Sequence, residues 1–259
     1  MSSLKKIGAV ASVSILEMLR RRDMYVALIL ALVIIIPLSS VNLFGVEGVV
    51  RYVREVTLLL IWVCSIVIAI STTSRQVPGE LQRRTILPLL AKPIRRGEFV
   101  VGKFVGSTLA TSIAILLFYA CYIILVGVKS GIWLNLTMIQ AMFLHLLFIT
   151  LVCAMTLCGS LIFTASANVT ICALVTIGML LFGGRLSEFA MKAPAPANFA
   201  IWTTHFLFPH FEFFDSRLRM VHEWGPHSLT VFLAATFYAV LYTLALVTVA
   251  MLVFRRKRL

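Results

Sequence analysis

Stretches without Asp, Glu, Lys or Arg divide the chain. Met24 to Val46 is one, 23 residues long, and Val56 to Ser74 is another, of 19. Phe104 to Val128 gives 25, Ser130 to Gly184 gives 55, and Leu229 to Phe254 gives 26. A bilayer takes about 20 apolar residues per helical span. The 55-residue run is too long for one crossing and suits two, with a break at its most polar patch, Thr164-Ala165-Ser166-Ala167-Asn168. The pattern therefore predicts an all-α polytopic membrane protein with six transmembrane helices, at roughly 24–44, 55–74, 103–127, 138–163, 169–187 and 229–254. The first run is longer than the apolar part of a signal peptide and follows a charged head, so it reads as a span rather than a cleaved leader.

Charge fixes the expected orientation. Basic residues gather in the head (Lys5, Lys6, Arg20, Arg21, Arg22), in the loop after the second span (Arg75, Arg83, Arg84, Lys92, Arg95, Arg96, Lys103) and in the tail (Arg255, Arg256, Lys257, Arg258). These are 16 of the 23 Lys and Arg residues, and six spans place all three segments on one side. By the positive-inside rule that side is cytoplasmic, as are both termini. The net charge of +13 is then a topology signal, and no nucleic-acid partner is needed to explain it. Composition agrees: 61% hydrophobic and 13% charged residues, against about 45–50% and about 25% in soluble domains. All five cysteines fall in expected spans without metal-ligand spacing and read as small packing residues.

Residues 1–259 are read as a single transmembrane domain with three extramembrane parts. In residues 1–23, Ile7, Val10, Ser14, Leu16 and Leu19 lie near one helical stripe, which suggests an amphipathic helix in the cytoplasmic interface. Residues 75–103 form the sizeable cytoplasmic loop, punctuated by Pro78-Gly79, Pro88 and Pro93, with a short helix expected from Glu80 to Leu87. Residues 188–228 form the outer loop. Its aromatic density suggests short helices dipping into the interface.

Within the cytoplasmic loop, Gly97 to Lys103 reads G-x-x-x-x-G-K, one residue short of a phosphate-binding P-loop. The position that should ligate magnesium is Phe104, and no strand can precede it. No nucleotide site, cofactor site or metal site is assigned to the chain. A second reading of the stretch uses spacing. Gly102, Gly106, Ala110 and Ala114 recur every four residues, a small-residue ridge for close helix packing, within the chain or across a dimer. Lys103 is expected at the cytoplasmic interface. His145 is the ionisable residue well inside a span and reads as a hydrogen-bonded packing residue rather than a proton relay. No catalytic set is evident, although His205, His210, Glu212, Asp215 and His222 crowd the outer loop. The chain thus shows neither an energy source nor an active site of its own, which leaves a channel, a scaffold, or one subunit of a machine powered from elsewhere; the last would need a cytoplasmic docking element, for which the 75–103 loop is a candidate.

The stretch RQVPGELQRRTILPLLAKPIRRGEFVVGKFVG resembles the loop between the second and third spans of type-2 ABC transporter permeases. Glu80, Thr85, Leu89, Leu90, Pro93, Ile94, Arg96, Phe99, Gly102, Lys103 and Gly106 carry the likeness. Arg84, Arg95 and Pro88 depart from the usual pattern. The basic head, the six spans and LFPHFEFFD (207–215) are similar too. The resemblance implies the permease subunit of an exporter in a prokaryotic inner membrane, paired with a second copy (a homodimer) in lipid. Separate cytoplasmic ABC ATPase subunits would bind ATP and magnesium. It also implies a coupling helix at Glu80, Gln82, Arg83, Arg84 and Thr85 that seats on the ATPase. Two other readings remain: a membrane scaffold or maturation factor that uses the same ATPase to transmit force, and a membrane enzyme acting on lipids, which the lack of a catalytic set disfavours.

Overall fold

The apolar runs become long helices wherever the chain is described. The computed structural model describes residues 3–19, 29, 33, 46–82, 95–131 and 133–256. The expected first span, 24–44, lies outside the described residues apart from Ile29 and Val33. Among the described residues every regular element is helical and none is a strand.

The elements in chain order are α1 (Ser3–Leu19), α2 (Val46–Ser74), α3 (Gln76–Gln82), α4 (Arg96–Ser130), α5 (Leu136–Ser160) and α6 (Ala165–Phe182). A 3₁₀ turn (Gly183–Arg185) leads into α7 (Leu186–Lys192), followed by α8 (Ala197–Leu207). A second 3₁₀ turn (Phe211–Phe214), α9 (Arg217–His222) and α10 (Leu229–Arg256) complete the chain. Five helical stretches are long and apolar enough to cross a membrane: Arg51–Glu80, Arg96–Val128, Leu136–Ser160, Ala165–Lys192 and Leu229–Arg256. The expected break in the 55-residue run is present, since α5 ends at Ser160 and α6 starts at Ala165. Asn168 in that patch turns back on α5, its Nδ2 donating to Thr156 O at 2.9 Å.

Helix α4 is longer than its uncharged run. It begins at Arg96, seven residues before the expected span, and its 35 residues would reach about 50 Å, well beyond a hydrocarbon core of about 30 Å. It ends at Gly131, whose φ of 71° is left-handed and whose N–H bonds Gly127 O, a C-cap that favours glycine. The 75–103 segment is accordingly helical at both described ends. Helix α3 continues α2 after a break at Arg75 and starts four residues earlier than expected, with Pro78 tolerated in its first turn. Residues 83–94 lie outside the described residues.

Two apolar cores hold the bundle. The larger is built on α2, α4 and α5, with Leu58, Trp62, Ile115, Phe118, Leu144 and Phe148 at its centre. Buried on nearly every side, α5 is the central helix. The smaller core sits at the basic end, where the start of α4 meets the ends of α5 and α10: Val10, Val77, Phe99, Val100, Leu157 and Phe254.

Part of the 188–228 segment packs into the larger core. Phe211 and Phe214 are fully buried, and Phe211 meets Phe148 of α5 edge-on at 5.2 Å between ring centroids. Arg217 lies 5.0 Å from the Trp62 ring centroid of α2 and is held by Asp215 through Nε and Nη2 at 2.9 and 2.7 Å. Phe189, Phe199, Phe206, Phe213 and Trp224 stay exposed, with Trp202 and Phe208 half-buried. The loop is therefore a plug with an apolar underside and an aromatic rim.

Candidate functional site

The basic end is where the segments expected to face a motor are bound together. The stretch that mimics a P-loop is continuous helix from Arg96 onward. From Phe99 onward its backbone amides bond within the helix rather than curling round a phosphate. Every described neighbour converges on it. Ser3 Oγ of α1 donates to Glu98 Oε1 at 2.7 Å, and Arg95 N donates to Glu98 Oε2 at 2.9 Å. Arg96 Nη1 donates to Arg255 O at 3.1 Å, satisfying a carbonyl at the end of α10. Phe99 stacks on Phe254 at 5.5 Å.

Lys103 is the centre of this arrangement. Expected at the cytoplasmic interface, it is buried within the chain, 1% exposed. Its ammonium forms an ion pair with Glu80 of α3 and lies 5.9 Å from the Phe99 ring centroid. A buried ammonium requires a partner, and Glu80 supplies one. The pair bridges the two helices that flank residues 83–94. Sequence reasoning named both residues without joining them. The available signal was the spacing Phe99–Lys103, i and i+4, which places the charge on a buried helix face.

The glycine ridge meets α1. A Cβ on Gly102 would lie 2.7 Å from Val10 Cβ, and one on Gly106 would lie 2.6 Å from Ser14 Cβ. Ala110 and Ala114 are each 1% exposed. The buried stripe of α1 is Val10, Ala11, Ser14 and Met18, while Leu16 of the expected stripe is exposed. Gln76 Nε2 donates to Met18 Sδ at 3.2 Å, so α3 is tied to α1 as well. Of the expected docking residues, Glu80 is in the ion pair and Gln82 ends α3. Arg83, Arg84 and Thr85 lie outside the described residues.

His145 is a satisfied packing residue. Ser65 Oγ has one hydrogen and donates it to Trp62 O at 2.8 Å. Its 2.8 Å contact with His145 Nε2 therefore has the imidazole donating. Nδ1 then accepts from Tyr119 Oη at 3.1 Å, and the ring stacks on Trp62 at 4.4 Å. Both nitrogens of a neutral ring are occupied, leaving no lone pair for a relay. Tyr119→Phe should leave Nδ1 without a donor and lower stability by about 1–3 kcal/mol, read as thermal unfolding in detergent. A relay role would instead show as lost activity at unchanged stability.

The five outer-loop residues separate into three sites. His205 and His210 approach at 4.5 Å between ring centroids, and His210 Nδ1 lies 3.0 Å from Glu212 Oε1. Asp215 holds Arg217. His222 stacks on Trp224 at 5.0 Å and contacts Arg51. Among the described residues no three His, Cys, Asp or Glu side chains are placed to hold a metal ion.

No curated protein matches the chain. The family model described as ABC-2 family transporter protein matches residues 5–259. That match takes in α1, the buried ion pair, the plug and all five described spans, so the chain belongs to the ABC-2 transporter family, as an integral membrane permease component of an ABC transporter.

Proposed function

We propose that the chain is the permease subunit of an ABC exporter, paired with a second copy in a prokaryotic cytoplasmic membrane and driven by separate ATPase subunits that bind ATP and magnesium. The basic end faces the cytoplasm, and residues 80–85 dock on the ATPase. The observation that carries the reading is the buried Glu80–Lys103 pair. A docking segment must be stiff and fixed to the spans it moves. Here α3 runs on from α2, and the pair joins it to α4 inside the smaller apolar core. Force applied to residues 83–94 would then reach two membrane helices together. Because Glu80 is engaged within the chain, the charge for docking falls to Arg83 and Arg84.

Co-purification with the ATPase tests this. Arg83→Glu with Arg84→Glu should weaken association about tenfold or more and abolish stimulation of ATP hydrolysis, with the thermal unfolding of the permease unchanged. Full association in the double variant would remove the docking role from this segment.

A further inference from the structure

We propose that the cleft at the end of the bundle opposite α3 binds an oxyanion, the phosphate or carboxylate headgroup of a membrane amphiphile. The cleft holds about 160 Å³, room for far more than one water. Its polar side is Arg54 of α2, Tyr122 of α4, Thr137 of α5, and Arg219 and Glu223 at the end of α9. Its apolar side is Val126, Met138 and Met220.

Arg54 is the main observation. It is 7% exposed. One Nη1 pairs with Glu223, but its Nε is buried with no hydrogen-bond partner among the described residues. A guanidinium presents a rigid fork that fits two oxygens of one anion, and Glu223 engages only part of it. The Glu223 side chain is 55% exposed, so it can swing to water and leave the fork to a ligand. Arg219 lines the same cleft, and its Nη1 donates a long 3.4 Å hydrogen bond to Gly225 O. Two guanidiniums against one carboxylate leave the lining net positive. Beside it, burial and then the Arg219 charge hold the His227 imidazole below its ordinary value, so His227 adds no cation near neutral pH. The methionines and Val126 offer a surface for the alkyl part of an amphiphile.

The inference does not depend on ATPase docking, because binding is read on the permease alone. Purified full-length protein in detergent would be titrated calorimetrically with short-chain phosphatidylglycerol, short-chain phosphatidylcholine and inorganic phosphate. Phosphatidylglycerol should bind about tenfold more tightly than the zwitterionic lipid, and Arg219→Gln should weaken it about tenfold. Glu223→Gln removes the competing carboxylate and should tighten binding, a change of sign that a purely structural role would not give. Competition by phosphate would identify the oxyanion as the recognised group. Binding of phosphate without phosphatidylglycerol would overturn the amphiphile assignment. Unchanged phosphatidylglycerol affinity in both Arg219→Gln and Glu223→Gln would overturn the site, whether or not Arg54→Gln folds.

Discussion

Glu80→Leu should destabilise the permease by about 3–5 kcal/mol, the usual consequence of stranding one member of a buried ion pair. The Lys103 side chain is 2% exposed and the Glu80 side chain 16%, which makes the two single variants unequal. Without Glu80 the ammonium stays surrounded by Phe99 and the smaller apolar core. Without Lys103, as in Lys103→Met, the Glu80 side chain, 16% exposed though its Oε2 is buried, can turn toward water or protonate. The expected order of loss is Glu80→Leu, then Lys103→Met, with the double variant close to wild type, since a buried pair replaced by apolar groups is often neutral. Thermal unfolding in detergent reads all three. Additive losses in the double variant would show that the two side chains do not interact. The double variant also separates stability from coupling: an intact fold that no longer stimulates the ATPase would assign the ionic bond itself to force transmission.

Much of the architecture was legible because membrane spans are written in long runs. The expected spans 138–163 and 229–254 end within a few residues of the helices Leu136–Ser160 and Leu229–Arg256. The break near Thr164 was visible as a polar patch in an apolar run. What sequence could not show was where helices continue past the hydrocarbon. Arg95, Arg96 and Lys103 looked like loop charge, yet Arg96 satisfies a carbonyl of α10 and Lys103 is buried by Glu80. The partners of Arg96 and Lys103, Arg255 and Glu80, lie elsewhere in the chain, and local spacing could suggest burial of Lys103 but not its partner. The outer loop failed for a related reason. Its aromatics are alike in sequence, but Phe211 and Phe214 are the ones fully buried, on a turn packed against α5 and α6. The same holds for the cleft, where Arg54 and Glu223 meet across a separation of 169 positions.

Gly106→Leu should undock α1. The atoms a Cβ would meet at Gly106 are Ser14 Cβ at 2.6 Å, Ala11 O at 2.9 Å and Ala11 Cα at 3.2 Å. Backbone and backbone-adjacent atoms cannot rotate away, so the helix itself must move. Gly102 gives the same constraint one turn earlier, against Val10 and Ile7 O. A single methyl, as in Gly106→Ala, should cost about 1–3 kcal/mol of packing strain, and a leucine exceeds what a small shift can absorb. Gly8 is the control: a Cβ there meets nothing within 4 Å, so Gly8→Ala should be neutral or stabilise α1 by up to about 1 kcal/mol. Maleimide labelling of an Ala11→Cys probe reads docking directly. Ala11 is 5% exposed against 61% for Val13, so Ala11→Cys should label slowly and Val13→Cys quickly. Adding Gly106→Leu should bring the first rate up to the second. Slow labelling that persists would mean α1 stays docked despite the added side chain. The outcome bears on function because α1 touches both partners of the ion pair's scaffold, α4 through the ridge and α3 through Met18 and Gln76. A helix so placed clamps α3 to α4, and if the proposed docking holds, releasing it should loosen coupling even with Glu80 and Lys103 intact.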